Sequence, residues 1–435
     1  MNQSVAVSLW GTRIGVLTLV DSNPYVLFEY DRAFVETAGL AGIQLSPLKM
    51  PLSKKIYRFT DLPDSFHGVP GLIADSLPDK FGNAVIREWL ASQGRREADF
   101  NVLDRLCYTG KRGMGALEYE PVLRFSEDIE ETVNVAELVG FASAILQKRT
   151  NIRISFENEP SFQQLLQLGT SAGGARAKAL IAWNEKTNEV RSGQIDAGSG
   201  FDYWLMKFDG VSGNGDHDLE DSMQYTLIEY AYYKMATNAG IQMEECRLFE
   251  ENGRHHFMTK RFDRKNGGKL HMQTLGALAH IDYNVPGLCS YEQAAMYMRD
   301  MGLEQSDIEQ LFRRMVFNVM AVNQDDHVKN ISFLMDRAGK WMLSPAYDIT
   351  FSFDRDNQWL KAHQMLINGK KNSISRKDLT SAGRNMGITQ SHIDLIMSEV
   401  SESVNHWMDY VKQVGVHKEA AKTIDNVIHS FGMTE

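Results

Sequence analysis

Residues 322–330 read VNQDDHVKN, which puts two aspartates, a histidine, a lysine and an asparagine between an apolar helix pattern and an apolar strand pattern. A loop held between rigid elements is where side chains can be fixed for chemistry. Further on, SPAYDITFS places Asp348 just after a second short strand, so a hairpin would carry it against the first loop. An aspartate and an asparagine on one loop and an aspartate on the next are what protein kinases use. One aspartate takes the proton of the attacking hydroxyl, and the other two groups hold Mg²⁺ against the phosphates. Hard oxygen donors suit that ion. Alone, DDHVKN reads as a solvated turn with a helix cap; the pairing with Asp348 turns the reading toward catalysis. A metal-dependent hydrolase built on Asp325, Asp326 and His327 is the rival enzyme. It needs further ligands, and His255, His256, His280 and His363 are present without helix-type ligand spacing.

Three more constellations lie upstream. LGTSAGGARAKALIAW (168–183) is rich in small residues, which let backbone N–H groups approach phosphate oxygens. It lacks the GxxxxGK[ST] pattern, and a glycine-rich turn by itself is usually only a turn. Lys207 sits within the apolar strand DYWLMKFDG and needs a partner, because burying an unpaired ammonium is costly. Kinases pair such a lysine with a helix glutamate, and Glu229 in LIEYAYYKMA is placed for it. An exposed edge position is the plain alternative for Lys207. FMTKRFDR (257–264) falls where a hinge between two lobes would hold an adenine, with Phe262 against the base; in isolation it is an ordinary strand end.

The elements that must carry these groups are readable in outline. VAVSLW, RIGVLTLVD and YVLFEYD alternate as strands separated by turn residues. Ile73, Leu77, Phe81, Val85 and Trp89 have helical spacing, and FNVLDRLCYTG reads as a helix ended by Gly110. GMGALEYEP returns to strand. The acidic run SEDIEET marks a boundary near residue 122. A helix follows over 135–147, then a loop-like stretch over 151–165, a hairpin in ALIAWNEKTNEVRSGQID, and a helix over 222–239 closed by Gly240. CRLFEENGRHHFMTKRFDR reads as two strands around NGR. From 263 the pattern is mainly helical. Ile308, Leu311, Phe312, Met315, Val316, Val319 and Met320 mark one buried helix face, ISFLMD and KWMLS form a hairpin, and two or three helices end the chain.

The whole chain sets outer limits. Its 435 residues suggest two or three subdomains, and 43% hydrophobic with 23% charged residues is ordinary for a soluble globular protein. A net charge of −10 argues against a protein that coats nucleic acid by itself. Cys107, Cys246 and Cys289 are dispersed, odd in number and form no CxxC pair, which argues against a disulfide framework or a cysteine zinc site and fits a reducing cytoplasm. No secretory signal and no apolar run long enough to span a membrane is visible.

With these residues in place, the chain resembles the HipA family, the serine/threonine kinase toxins of bacterial type II toxin–antitoxin modules. DSLPDKFGNAVIREWL and LDRLCYTGKRGMGALEYEP look like the family's N-terminal β domain, NQDDHVKNISFLM like its catalytic loop and LSPAYDIT like its Mg²⁺ motif. The resemblance implies an α+β, two-lobed protein-kinase-like fold with an N-terminal β-rich subdomain (1–122), a kinase N-lobe (123–262) and a mainly helical C-lobe (263–435). It makes Asp325 the catalytic base, Asn330 and Asp348 the metal ligands, Lys207 the phosphate-binding lysine and Glu229 its helix partner. Gly173, Gly174, Ala175, Arg176, Ala177 and Lys178 become the nucleotide loop, and Lys260, Arg261 and Phe262 the adenine hinge. Tyr347 lies beside the metal site, and His327 and Lys329 are candidate phosphate contacts. Asp326 reads as structural.

Ser171 matches the autophosphorylated serine of the family, with Thr170 a second candidate. A phosphate there would be repelled by nucleotide phosphates and would inactivate the enzyme. Lys260 departs from the acidic residue frequent at the hinge. The implied cofactors are ATP and Mg²⁺. The implied partners are a helix-turn-helix HipB-like antitoxin, operator DNA reached only through that antitoxin, and a translation-related protein substrate, typically an aminoacyl-tRNA synthetase; no membrane is involved. A catalytically weak HipA-like ATP-binding corepressor or scaffold is the non-enzymatic alternative. GKKNSISRK (369–377) reads as a solvated surface loop, with phosphate contacts in an antitoxin–DNA complex as the other possibility.

Overall fold

The alternating stretch at the start of the chain forms β1 (Ser4–Leu9), β2 (Thr12–Leu19) and β3 (Val26–Tyr30). Val5, Val7 and Leu9 are buried and alternate with the less buried Ser4, Ala6 and Ser8, the signature of a sheet covered on one face. Trp10 and Gly11 join β1 to β2 with φ of 52° and 81°, the left-handed pair a two-residue hairpin demands. With β4 (Ile56–Tyr57) and β5 (Leu117–Glu120) the antiparallel order is β4-β3-β2-β1-β5. The computed structural model describes residues 1–20, 25–123, 133–146, 176–194, 197–211, 224–265 and 267–431. Thr170, Ser171, Gly173, Gly174, Ala175 and the loop expected over 151–165 lie outside the described residues.

Helix α1 (Arg32–Leu40), which the periodicity did not reveal, is capped by Asp31, whose carboxylate accepts from Ala33 N at 2.9 Å. The helix expected from Ile73 to Trp89 is in fact two. α2 (Gly71–Ala74) stops, and α3 (Lys80–Ser92) begins after SLPD. Pro78 cannot donate its nitrogen and disfavours helical backbone at Leu77, while Asp79 caps the new helix by accepting from Gly82 N at 2.7 Å. α4 (Val102–Thr109) carries a reciprocal cap between Asn101 and Asp104 and ends at Gly110.

The second sheet has the order β7-β6-β8-β10-β9, antiparallel throughout. Its strands are β6 (Lys178–Asn184), β7 (Glu189–Ser192), β8 (Asp202–Lys207), β9 (Cys246–Glu251) and β10 (Arg254–Lys260). α5 (Val135–Leu146) packs Leu138, Val139 and Ala142 into the same core as Ile181, Trp204, Met206 and Met258. Phe81 and Val85 of α3 join that core, so the N-terminal region is not a separate bead. α6 (Tyr225–Asn238) connects β8 to β9.

Beyond residue 263 the sequence reads as helical, but three strands come first. β11 (Arg264–Lys265) and β12 (Gly268–Lys269) form a small hairpin. β13 (His271–Thr274) pairs with β14 (Ser332–Met335), which pairs with β15 (Trp341–Leu343). HMQT has no apolar alternation; its strand form is imposed by pairing with a distant segment, a case of tertiary context overriding local preference.

The helices are α7 (Leu275–Ala279), α8 (Tyr291–Asp300), α9 (Gln305–Met320), α10 (Arg376–Asn385), α11 (Gln390–Asn405), α12 (Trp407–Val414) and α13 (Lys418–Phe431). Every residue of the apolar face expected on α9 is buried. GKKNSISRK is largely exposed, and its Ser375 caps α10 reciprocally with Asp378.

The three layers interlock through buried polar groups. Arg261 and Arg264 both pair with the fully buried Asp263, at 2.8 and 2.7 Å. All three reach the N-terminal region: Gly115 N donates to Asp263 at 2.7 Å, and Arg264 donates to Gly113 O and Gly115 O at 3.1 Å each. Gly71 N donates to His280 Nε2 at 3.0 Å. Burial, aided by Lys49, pushes His280 down to about 4, so the ring stays neutral and can accept.

Candidate active site

The loop after α9 is fixed at both ends. Val322 has φ of 53°, a left-handed conformation rarely adopted by a β-branched residue and one often met at functional sites. Asn323 Nδ2 donates to Asn318 Oδ1 at 2.9 Å, and Gln324 N donates to Ser352 O at 2.9 Å. On the far side Gly276 N donates to Val328 O, and Leu275 N to Ile331 O. Between these anchors Asp325 and Asn330 keep the D-x-x-x-x-N separation of a kinase catalytic loop. Asn330 Nδ2 donates to the Asp325 carbonyl at 2.8 Å, which ties the two residues together. The Asp325 side chain is 23% exposed, with His327 Nε2 at 3.8 Å from its Oδ1.

The neighbouring Asp326 behaves differently. Its side chain is fully buried and accepts from Tyr291 Oη at 2.9 Å, His363 Nδ1 at 3.0 Å and Gln364 N at 2.7 Å. Both oxygens are therefore engaged by the protein itself. This agrees with the structural role read from the sequence and weakens the hydrolase alternative, which needs Asp326 as a ligand. Among the described residues no group of three or more His, Cys, Asp or Glu could hold a metal.

Asp348 follows β15 on a turn pinned by Arg314, whose Nη2 donates to Ser344 O at 2.6 Å, and by Ala346 N donating to Gln242 O at 2.8 Å. Its own φ is 52°. The turn aims Asp348 Oδ1 at Lys207 Nζ, 2.5 Å away, and Glu229 Oε1 meets the same nitrogen at 2.5 Å. Burial alone would lower the Lys207 pKa; the two carboxylates outweigh it and hold the ammonium above its ordinary range. Burial opposes ionisation of Asp348 as well, but Lys207 and then Lys178 hold it below the usual carboxylate range. Glu229, 2% exposed, is raised by burial against the pull of Lys207.

Asn330, Asp348, His327 and Tyr347 line one cavity. The Asn330 amide nitrogen is committed to Asp325, which leaves its oxygen for a cation; Asp348 uses Oδ1 on Lys207 and has Oδ2 in reserve. Two hard oxygens converging on a cavity fit Mg²⁺, an ion that keeps much of its water.

The remaining predicted residues divide. Arg176 stacks over the Tyr225 ring and bears electrostatically on Glu229. Ala177 is buried in the strand entry, its carbonyl accepting from Phe208 N at 3.2 Å. Lys178 lies directly across the β6–β8 ladder from Lys207 and is paired at 3.4 Å with Asp79 of the α3 cap. Phe262 contacts Tyr347, with ring centroids 5.7 Å apart, and Tyr347 Oη donates to Lys329 O at 2.6 Å, so the hinge candidate does reach the catalytic loop. Lys329 places its ammonium 4.5 Å from the Tyr283 ring centroid.

Lys260 and Arg261 turn elsewhere. Lys260 pairs with Asp202 at 2.8 Å, and its N–H donates to Glu245 O. Arg261 is buried on Asp263, and its N–H donates to Tyr203 O. Sequence reasoning passed over Asp79, Tyr225, Tyr283 and Tyr291, and named His363 only as a possible metal ligand of the rival hydrolase. Asp79 stood inside a stretch read as one helix, and its reach to Lys178 depends on the packing of α3 against the second sheet.

The fold and site together define a kinase-like class: two lobes, α+β, with a β-rich N-terminal subdomain and a mainly helical C-lobe. The sequence matches the HipA-like C-terminal domain over residues 170–408 and the HipA N-terminal domain over residues 5–120. The chain belongs to the HipA family. Among solved structures it is similar to HipA in the complex of Shewanella oneidensis MR-1 HipA, HipB and operator DNA, with a TM-score of 0.65 at 14% identity, covering 98% of this chain and 95% of that one. It also aligns with the Helicobacter pylori proinflammatory kinase CtkA at a TM-score of 0.31 and 14% identity, over 52% of this chain and 92% of that one. Comparison with curated proteins gave no significant match.

Proposed function

We propose that the chain is an ATP- and Mg²⁺-dependent serine/threonine protein kinase, the toxin of a type II toxin–antitoxin module. One observation carries the reading: Lys207 is shared by Glu229 and Asp348, Asp348 lines one pocket with Asn330, and Asn330 is bonded to the backbone of Asp325 on the same loop. That is the constellation phosphoryl transfer needs, because the reaction is chiefly positioning and charge stabilisation. Asp325 accepts the substrate hydroxyl proton. Lys207 draws in the nucleotide phosphates, and Glu229 keeps its ammonium directed into the cleft. Asn330 and Asp348 hold Mg²⁺, which when bound neutralises charge on the transferring phosphoryl group. Arg176 and Lys178 carry the nucleotide loop into the sheet, and Phe262 with Tyr347 flanks the base side.

The partners follow from the family. The Shewanella protein was solved with HipB and operator DNA, and a HipB-like antitoxin is proposed here, with DNA reached through it. The acidic balance of −10 suits a subunit that leaves DNA contacts to its partner. The proposed substrate is a translation-related protein. Cys107, Cys246 and Cys289 are buried free thiols, each pushed up to about 12 by burial, which suits a reducing cytoplasm. Among the described residues no helix is long and apolar enough to cross a membrane.

The test is intact mass spectrometry after incubation with Mg²⁺ and ATP. Wild type is expected to gain one phosphate at Ser171 or Thr170, and Asp325→Asn none. ATP binding with no transfer in either protein would point instead to a corepressor or scaffold. No ATP binding at all would sink the kinase reading.

A further inference from the structure

The residue beside Asp325 is held in a network of its own. The Asp326 carboxyl is the hub of a buried chain of hydrogen bonds that runs from Asn323 through Asn318 Oδ1 and Nδ2 to Tyr291 Oη, then to Asp326 Oδ2 and His363 Nδ1. Asp326 and His363 are each 3% exposed, and Tyr291 is 1% exposed. Burial and the nearby Asp326 push the Tyr291 hydroxyl well above its ordinary value, so it remains a donor. His363 and Gln364 lie in the segment that follows the metal-ligand candidate Asp348. That segment is itself pinned to the start of α8: Gly287 N donates to Gln364 O at 2.8 Å, Tyr291 N to Leu366 O at 3.1 Å and Leu366 N to Cys289 O at 2.9 Å. Near its beginning, Ser352 bonds Val322 and Gln324 on the catalytic loop.

From this geometry we infer that Asp326 and His363 are positioning residues. They clamp the segment after Asp348 onto the catalytic loop and thereby fix the Asp325 carboxylate relative to Asn330 and Asp348. In many protein kinases the corresponding segment is ordered by phosphorylation through new arginine–phosphate pairs. Here the residue before Asp325 is the neutral Gln324, 6% exposed, and the clamp is made from side chains already in the chain. The site is thus ordered without an added phosphate on this segment. A carboxyl with both oxygens filled by three donors from two separate segments has few other arrangements open to it, which is how a hydrogen-bond network specifies a unique geometry.

The inference rests on the kinase reading, and its test separates the two. Steady-state kinetics would be measured on wild type, His363→Ala, His363→Asn and Tyr291→Phe, alongside hydrogen exchange of the peptide covering 322–331. Asparagine can present a donor where His363 Nδ1 lies, whereas alanine cannot. The expected result for His363→Ala is a kcat lowered about 10- to 100-fold, the scale of a small misplacement of reacting groups, with the KM for ATP little changed and faster exchange in the loop. His363→Asn should restore both, and Tyr291→Phe should fall between. Wild-type kcat and protection in His363→Ala would overturn the inference. So would equal losses in the alanine and asparagine variants that follow the folded fraction, since that outcome marks a packing role only. If wild type transfers no phosphate, the kinase reading fails, and the exchange data alone decide whether the clamp holds the loop.

Discussion

Replacing Lys207 by methionine tests the centre of the site through stability as well as rate. Methionine keeps the length of the side chain but leaves Glu229 and Asp348 facing each other without the ammonium that joins them at 2.5 Å. Asp348, with 34% of its side chain exposed, can turn toward water, so the cost falls mainly on Glu229 at 2%. Removing one partner of a buried pair costs about 3–5 kcal/mol, and the partial release of Asp348 points to the lower end, about 3 kcal/mol. For a cooperative unit of 150–250 residues that lowers the midpoint by roughly 6–12 °C. The pH dependence has a definite sign. Burial already raises the Glu229 carboxyl, and without Lys207 it rises further. The penalty is therefore present above that raised pKa and fades as pH falls through it, because protonation removes the buried charge. Thermal melts at pH 8 and pH 5.5 should show a wide gap between variant and wild type at the first and a narrower one at the second. Lys207→Met with Glu229→Gln should recover part of the loss. A variant that melts with wild type at pH 8, or a gap unchanged at pH 5.5, would refute the assignment of Glu229 as a buried carboxylate held by Lys207.

Mg²⁺ with ATP at about 100 times its Kd should stabilise wild type by about 2.7 kcal/mol, raising the melting midpoint; Asp348→Asn should lose most of that shift in the same melt. Gly71→Ala should disrupt the contact between the N-terminal region and the C-lobe, because its Cβ would stand 1.9 Å from the Ala277 carbonyl oxygen; loss of soluble expression or a midpoint lower by many degrees is expected. Arg261→Leu leaves Asp263, fully buried, with Arg264 and the Gly115 N–H as its remaining partners and should cost about 3 kcal/mol at neutral pH. Burial opposes its ionisation, but the two arginines hold the Asp263 carboxyl well below its ordinary range. The stability it contributes is thus present above the unfolded carboxylate pKa and lost as pH falls, so denaturant midpoints of wild type and variant should converge in acid.

Much of this architecture was legible because the chain announces it locally. The alternation of Val5, Val7 and Leu9, the apolar face of α9 and the turn residues Trp10 and Gly11 each specify their own element. The DDHVKN loop and Asp348 were legible as a pair because a short hairpin leaves little choice about where its ends meet. What stayed hidden depends on distant packing. Pro78 signals a break, yet the apolar periodicity continues across it and masks two helices as one. The strand form of HMQT exists only against Ser332–Met335. The side chains of Lys260 and Arg261 stand beside Phe262 in sequence, but Asp202 and Asp263 draw them away from the cleft. Asp79 and His363 enter the neighbourhood of the site from segments far along the chain, and no spacing rule connects them to Lys178 or Asp326.

The buried cluster of Arg261, Asp263 and Arg264 bears on how this chain can be divided. Its hydrogen bonds close on Gly113 and Gly115, within the stretch matched by the HipA N-terminal domain, while its charges come from the stretch matched by the HipA-like C-terminal domain. A recombinant fragment that began after residue 122 would bare two arginines and an aspartate to water and lose the backbone groups that satisfy them. Gene fusion, truncation or domain exchange at that boundary thus faces a barrier set by charge solvation. The two halves share one buried charge cluster, and a transplanted catalytic lobe would need this patch redesigned before it could stand alone.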